Sequence, residues 1–325
     1  MKRSYLFGLS FALLASAFLS LNTGIIKLNN VLSLLMGNGP ADQVSIAQEV
    51  RGPRVLAAVL VGATLGIAGI LSQGALKNPL SEPVLLGTTG GSAFFTLIGI
   101  LTFKLEIGTP MAIAFGIVGA LIATLITFQI GKDGKDGFSF VIIGIAISAI
   151  LTAVVGLIAL MINKPEARGV TFWTLGTLSM ATKNQVLLLL PLLLIVWVFA
   201  YLLSSKLDYL ALGDIRAILL GVNPNQIRYR AFFLIAISIG AITSIFGQIS
   251  FLALAIPHIS RALFSYRNKV AMLASGMIGA LTLVLADLAA RTLASPNELP
   301  IGLVTALIGS PVLIYSVKKW TSKNA

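Results

Sequence analysis

The sequence predicts an all-α, polytopic membrane protein with about ten transmembrane helices, forming a single transmembrane domain over residues 1–325. Three observations predict it. Of the 325 residues 57% are apolar and only 10% are charged, too little polar surface to solvate a globular domain of this size. The apolar residues fall in runs of roughly 20, the helix length that crosses a hydrocarbon core about 30 Å thick. The 23 basic residues, which give a net charge of +12, lie in the breaks between those runs. A nucleic-acid binder would gather them on one solvated face, so the charge speaks for membrane orientation and against nucleic acid.

The first run, 5–21, follows Lys2 and Arg3 and contains Ala15-Ser16-Ala17, a pattern shared with signal peptides. It is long enough to span, and many spans follow it. Further spans are predicted at 55–75, 84–103, 110–130, 138–161, 186–204, 229–246, 249–264, 270–290 and 301–317. Gly247-Gln248-Ile249 is the whole break between the seventh and eighth. Two breaks are longer, Asn22–Arg54 and Ser205–Arg228, and neither can hold a catalytic domain. An even count leaves both termini on one side. With the N-terminus cytoplasmic, fifteen of the 23 basic residues fall inside and eight outside, the bias that resistance of cations to translocation produces.

Several function classes are excluded. With 0 cysteines the chain has no disulfide, thiolate metal site, iron–sulfur cluster or cysteine nucleophile. The single histidine, His258, follows Pro257 without a nearby carboxylate and reads as packing, not as a metal or haem ligand. No Gly-x-Ser-x-Gly elbow supports hydrolysis, and no Gly-x-x-x-x-Gly-Lys-Ser/Thr cradles a phosphate. If ATP drives this protein, another polypeptide binds it. Of the 11 acids only Asp287 falls inside a span, with Glu82 near the end of another, thin material for an ion relay.

Four local patterns carry more information. Arg51 and Arg54 flank Pro53 at the outer mouth of the second span, where a cation stays hydrated and a helix starts on proline. Asn78-Pro79-Leu80 breaks a helix, since Pro79 lacks a donor and pushes Asn78 out of the α region. Leu212–Gly221 is short, amphipathic and bounded by glycines, suited to lie against a partner. Asp287 and Arg291, four apart, share one helix face and can pair.

Seven segments occur in one order from about residue 50 to the end. They are Arg51-Gly52-Pro53-Arg54; Gly69-Ile70-Leu71-Ser72-Gln73-Gly74; Asn78-Pro79-Leu80-Ser81-Glu82-Pro83 with Leu86-Gly87; Leu212-Gly213-Asp214 with Leu220-Gly221-Val222; Pro257-His258-Ile259-Ser260-Arg261; Ala286-Asp287 with Ala290-Arg291; and Glu298-Leu299-Pro300-Ile301-Gly302 running to Gly309-Ser310-Pro311. Together they resemble the FecCD-type permease family of ABC importers for iron-siderophore, haem and cobalamin.

The resemblance implies the type II permease fold and a non-enzymatic transport subunit in a prokaryotic inner or plasma membrane. Substrate, a ferric siderophore before haem or cobalamin, passes from a binding protein to the cytoplasm by alternating access. Implied partners are a second permease copy or paralogue, two ATPase subunits, an extracytoplasmic substrate-binding protein and membrane lipid. This chain binds no cofactor, and ATP and Mg reside on the ATPase. Arg51, Arg54 and Arg291 match docking positions for the binding protein. Asn78 and Leu80 match a cytoplasmic gate, with a second gate segment near Gly137 and Phe138. Leu212, Gly213, Asp214, Ala217 and Gly221 match the ATPase-coupling segment. The alternative, an ion-coupled secondary transporter, would work without an ATPase.

Overall fold

A computed structural model describes residues 3–132, 138–161 and 173–324 of the chain. Every predicted span is a helix in it, and all regular structure among the described residues is helical. The elements are α1 (Arg3–Asn22), α2 (Val31–Leu35), α3 (Ala41–Ser45), α4 (Gly52–Leu76), α5 (Thr88–Phe103), α6 (Pro110–Gly131), α7 (Phe138–Met161), α8 (Lys183–Ala211), α9 (Asp214–Leu219), α10 (Pro224–Phe246), α11 (Leu252–Leu263), α12 (Asn268–Thr292) and α13 (Ile301–Asn324). A π-helical turn, Ile46–Arg51, leads straight into α4, and a 3₁₀ turn, Pro83–Leu86, precedes α5. Among the described residues six helices are long and apolar enough to cross a membrane, and Phe7–Asn22, Thr88–Phe103, Leu252–Leu263 and Ile301–Val312 are shorter apolar stretches.

The helix ends follow local chemistry. Proline stands in the first turn of α6 and α10, where its missing N–H costs nothing. The Thr182 hydroxyl accepts from the Gln185 N–H while the Gln185 side chain accepts from the Thr182 N–H, a reciprocal cap that opens α8. Lys77 leaves α4 in the left-handed conformation at φ 52°, and the Asn78-Pro79 dipeptide prevents its resumption. Gly247 and Phe251, both at positive φ, separate α10 from α11, so the three-residue break in the sequence is a true break.

α4 forms the centre. Of its most apolar stretch 89% is buried, against 17% for that of α7, which places α7 at the periphery. α4 packs on α12, α8, α10 and α11, whereas α5 packs on α6, α7 and α10. The α4–α12 contact is backbone against backbone: a Cβ on Gly62 would lie 2.3 Å from the Gly279 carbonyl. Without a hydrophobic force between helices in lipid, such close approach through small residues supplies the packing energy.

Two predicted breaks are narrower or more ordered than the sequence suggested. Within 22–54, α2, α3 and the π turn enclose a small second core of Leu28, Val31, Leu34 and Ala47. The segment Ser205–Arg228 is mostly helix, because α8 runs on to Ala211 and α10 begins at Pro224. Hydropathy ends a span where charge begins, but Lys206 and Asp208 extend α8 past the apolar run. Gly137, one of the second-gate positions, lies outside the described residues.

Candidate functional site

At the end of the bundle expected to face outward, α1, the π turn, α4 and α12 converge. Arg51 is not hydrated there but 7% exposed. Its Nη1 donates to the Leu21 carbonyl at 2.9 Å, and its Nη2 donates to the Ile26 carbonyl. The end of α1 has carbonyls without intrahelical partners, and the guanidinium supplies donors for them. Gly24 makes room, since a Cβ there would stand 2.4 Å from Arg51 Nη2. Arg291 does the same from α12, donating to the Thr23 carbonyl at 2.6 Å, to the Ser20 hydroxyl at 2.7 Å and to the Ser20 carbonyl.

Arg54 points elsewhere. Its Nε donates to Asp287 Oδ1 at 2.9 Å and its Nη2 lies 2.9 Å from the same oxygen, while its Nη1 donates to Glu298 at 2.8 Å. Asp287 is 1% exposed and Glu298 43% exposed. The expected pair of Asp287 with Arg291 is present at 3.7 Å, but Arg291 Nε makes no hydrogen bond. The carboxylate's main partner is therefore Arg54, 233 residues away in the chain. No spacing rule within one helix could have found it.

At the opposite end, Asp214 opens α9 and ties it to the bundle. Its carboxylate accepts from Lys77 Nζ at 3.0 Å and from Arg228 Nη2 at 2.9 Å. Arg228 also donates to the Ala75 carbonyl at the end of α4. Burial alone would raise the Asp214 carboxyl, but Lys77 and Arg228 outweigh it and hold the group below the usual carboxylate range. Gly213 and Gly221 bracket α9 at φ 100° and 77°, with open space around both, so glycine is needed there for backbone conformation alone. Ala217 faces inward, fully buried, whereas Leu212, Ile215, Ile218, Leu219 and Leu220 are exposed. α9 thus presents an apolar face that none of the described residues covers.

Between α4 and α5, Asn78 Oδ1 accepts from the Leu80 N–H at 2.9 Å, the turn that asparagine before proline favours. Leu80 is exposed and Asn78 half-buried. His258 on α11 reaches this segment, its Nε2 standing 2.8 Å from the Pro79 carbonyl. A carbonyl only accepts, so Nε2 carries the proton. Glu82, 8% exposed, accepts from the Phe251 N–H at 2.7 Å. Among the described residues it has no cation within ion-pair distance. Sequence reasoning weighed Glu82 only as thin material for an ion relay and gave Gln73 and Arg261 no role beyond their place in the matched segments.

A bundle of apolar helices, with broken segments at 77–87 and 247–251, defines a polytopic membrane protein. The chain belongs to the FecCD transport family, whose model matches residues 9–319. It is similar to the hemin transport system permease protein HmuU of Yersinia pestis, 35% identical over 274 residues, covering 82% of this chain and 81% of that protein. It is also similar to the Fe(3+)-citrate import system permease protein YfmE of Bacillus subtilis (strain 168), 34% identical over 274 residues and covering 84% and 82%. Among solved structures, a metal-chelate type ABC transporter in an inward-facing conformation superimposes with a TM-score of 0.86 at 28% identity, over 97% of this chain and 99% of that one.

Proposed function

We propose that this chain is the membrane-spanning permease subunit of an ATP-binding-cassette importer for an iron chelate, a ferric siderophore first, with haem and cobalamin behind it. The permease domain occupies residues 1–325, with both termini in the cytoplasm of a prokaryote. It works with a second permease copy or paralogue, two ATPase subunits that hold ATP and Mg, and an extracytoplasmic binding protein. The chain itself binds no cofactor and catalyses no reaction.

The observation that carries this reading is α9. A six-residue helix with four exposed aliphatic side chains in and just beyond it is costly in water unless a partner covers it. Its bracing by Asp214 on both α4 and α10 lets a push on α9 reach the centre of the bundle. Leu212, Gly213, Asp214, Ala217 and Gly221 are the coupling segment. Asn78 and Leu80, beyond the end of the central helix, form the gate. Of the docking positions Arg51, Arg54 and Arg291, Arg54 is the one that meets acids of the binding protein, past the exposed Glu298, while Arg51 and Arg291, buried against the end of α1, hold the docking mouth in shape. ATP can switch such a device only if it binds the two states with different affinity.

The test is purification from the native membrane in mild detergent with identification of the co-purifying polypeptides, followed by uptake assays in proteoliposomes. Recovery of a P-loop ATPase and ATP-dependent uptake of ferric siderophore or hemin are expected. A chain that purifies alone and transports without ATP would refute the reading. Glu82, buried with no cation among the described residues within ion-pair distance, would then be the acid to test for ion coupling.

A further inference from the structure

The link between α4 and α5 is shared between two sets of partner helices, and its ties to them change at one peptide bond. From Pro79 to Glu82 the side-chain ties run to α4 and α11. Ser81 Oγ is 2.5 Å from Ser72 Oγ on α4. The Pro79 carbonyl accepts from His258, and Glu82 accepts from the N–H of Phe251, the residue that opens α11. From Pro83 onward the ties run to the other helices. The Pro83 carbonyl accepts from Thr88 of α5 at 2.8 Å, that of Val84 from Ser148 of α7 at 2.9 Å, and that of Leu86 from Thr127 of α6 at 3.1 Å. Pro83 has no N–H with which to hold the two halves together, and a single backbone bond crosses the seam, from the Leu85 N–H to the Glu82 carbonyl at 3.0 Å. A small cavity lined by Leu65, Glu82, Pro83, Val84 and Thr89 lies along the same seam.

α4 and α11 are in turn joined as one piece. Pro257 cannot donate to the Ala253 carbonyl one turn back, and Gly69 of α4 lies against that carbonyl so closely that a Cβ would stand 2.0 Å from it. The Gln73 side-chain amide donates to the Leu254 carbonyl at 3.1 Å, and its oxygen accepts from Arg261. Buried hydrogen bonds of this kind resist opening, because no water replaces them.

We propose that residues 77–82 and α11 move with α4 as one body, that the Glu82–Pro83 peptide is its hinge against α5, α6 and α7, and that His258 and Glu82 are positioning residues for the gate. The gate role of Asn78 and Leu80 rests on the importer reading above; the two-body division does not. His258 is thereby more than a packed ring: it fixes the carbonyl between the two gate side chains.

The test uses the assembled importer in proteoliposomes and the chain alone in detergent. His258→Leu and Glu82→Met remove one hydrogen-bond partner each at similar volume, whereas His258→Gln and Glu82→Gln keep one. The first two are expected to lower import per ATP hydrolysed at least tenfold and to speed amide hydrogen exchange at 77–82 but not at 84–87. The second two are expected to stay within twofold of wild type on both. Wild-type coupling in folded His258→Leu and Glu82→Met, failure of His258→Gln to rescue, or exchange rising equally on both sides of Pro83 would each overturn the proposal. Should the first pair fail to fold, Ser72→Cys/Ser81→Cys decides it, since the chain has no cysteine of its own. One body predicts that the oxidised pair imports as the reduced pair does; import lost on oxidation and restored by reductant overturns it. Exchange does not depend on ATP, so a wild type that fails to import with ATP refutes the importer reading while the exchange pattern still decides the division.

Discussion

Arg54→Met isolates the charge cluster at the expected outer end. The substitution leaves Asp287, 1% exposed, with Arg291 at 3.7 Å as its remaining cation, and that contact includes no hydrogen bond to Arg291 Nε. Removing one partner of a buried ion pair costs about 3–5 kcal/mol, because the other charge stays behind desolvated. Asp287→Asn is milder, since Arg54 keeps Glu298 and the amide oxygen still accepts; about 1–3 kcal/mol is expected. Glu298 is 43% exposed, so Glu298→Gln should cost no more than about 1 kcal/mol. A loss of 3 kcal/mol is a change of roughly 150-fold in the folding equilibrium. The assay is reversible unfolding in mixed micelles by SDS titration, run as a double-mutant cycle. The Arg54→Met/Asp287→Asn double variant should be less destabilised than the sum of those two single changes by about 1–3 kcal/mol. Strict additivity, or an Arg54→Met cost equal to that of Glu298→Gln, would refute the assignment of Arg54 as the structural partner of Asp287.

Other expectations follow from the same geometry. Gly24→Ala should displace the Arg51 guanidinium and cost about 1–3 kcal/mol, read by the same titration and by faster exchange at the end of α1. Asp214 has a folded-state pKa below its unfolded value of about 3.9. The stability it adds is therefore fully present above pH 4 and lost as pH falls through the lower, folded value. Proteolysis after Arg216 should be slow and flat from pH 5 to 8 in wild type, relative to an Asp214→Asn control. Because the Asp214 side chain is 33% exposed, that variant should lose no more than about 1 kcal/mol at neutral pH. Ile215→Glu with Leu219→Glu should leave the fold unchanged and weaken ATPase association more than tenfold, measured by co-purification, since both side chains already face outward.

The sequence by itself determined the class of the molecule and the order of its helices. Apolar runs of span length must become helices in lipid, where every backbone group needs an internal partner, and each predicted run has its helix. Asn78-Pro79, Gly247 and the Gly213–Gly221 bracket were legible as breaks because proline and glycine act through local backbone sterics. The short helices within 22–54 were not legible, since a span of low hydropathy gives no membrane signal and their small core forms only when Leu28 and Ala47 meet. What the arginines do was decided by tertiary structure alone. Arg51 and Arg291 finish the end of a helix 30 and 271 residues away, and Arg54 neutralises an acid from another helix. The same holds for His258 and Glu82, whose partners Pro79 and Phe251 lie 179 and 169 residues distant. Local spacing fixes what a chain can form along one helix; which buried charge and which orphan carbonyl meet depends on how the helices pack.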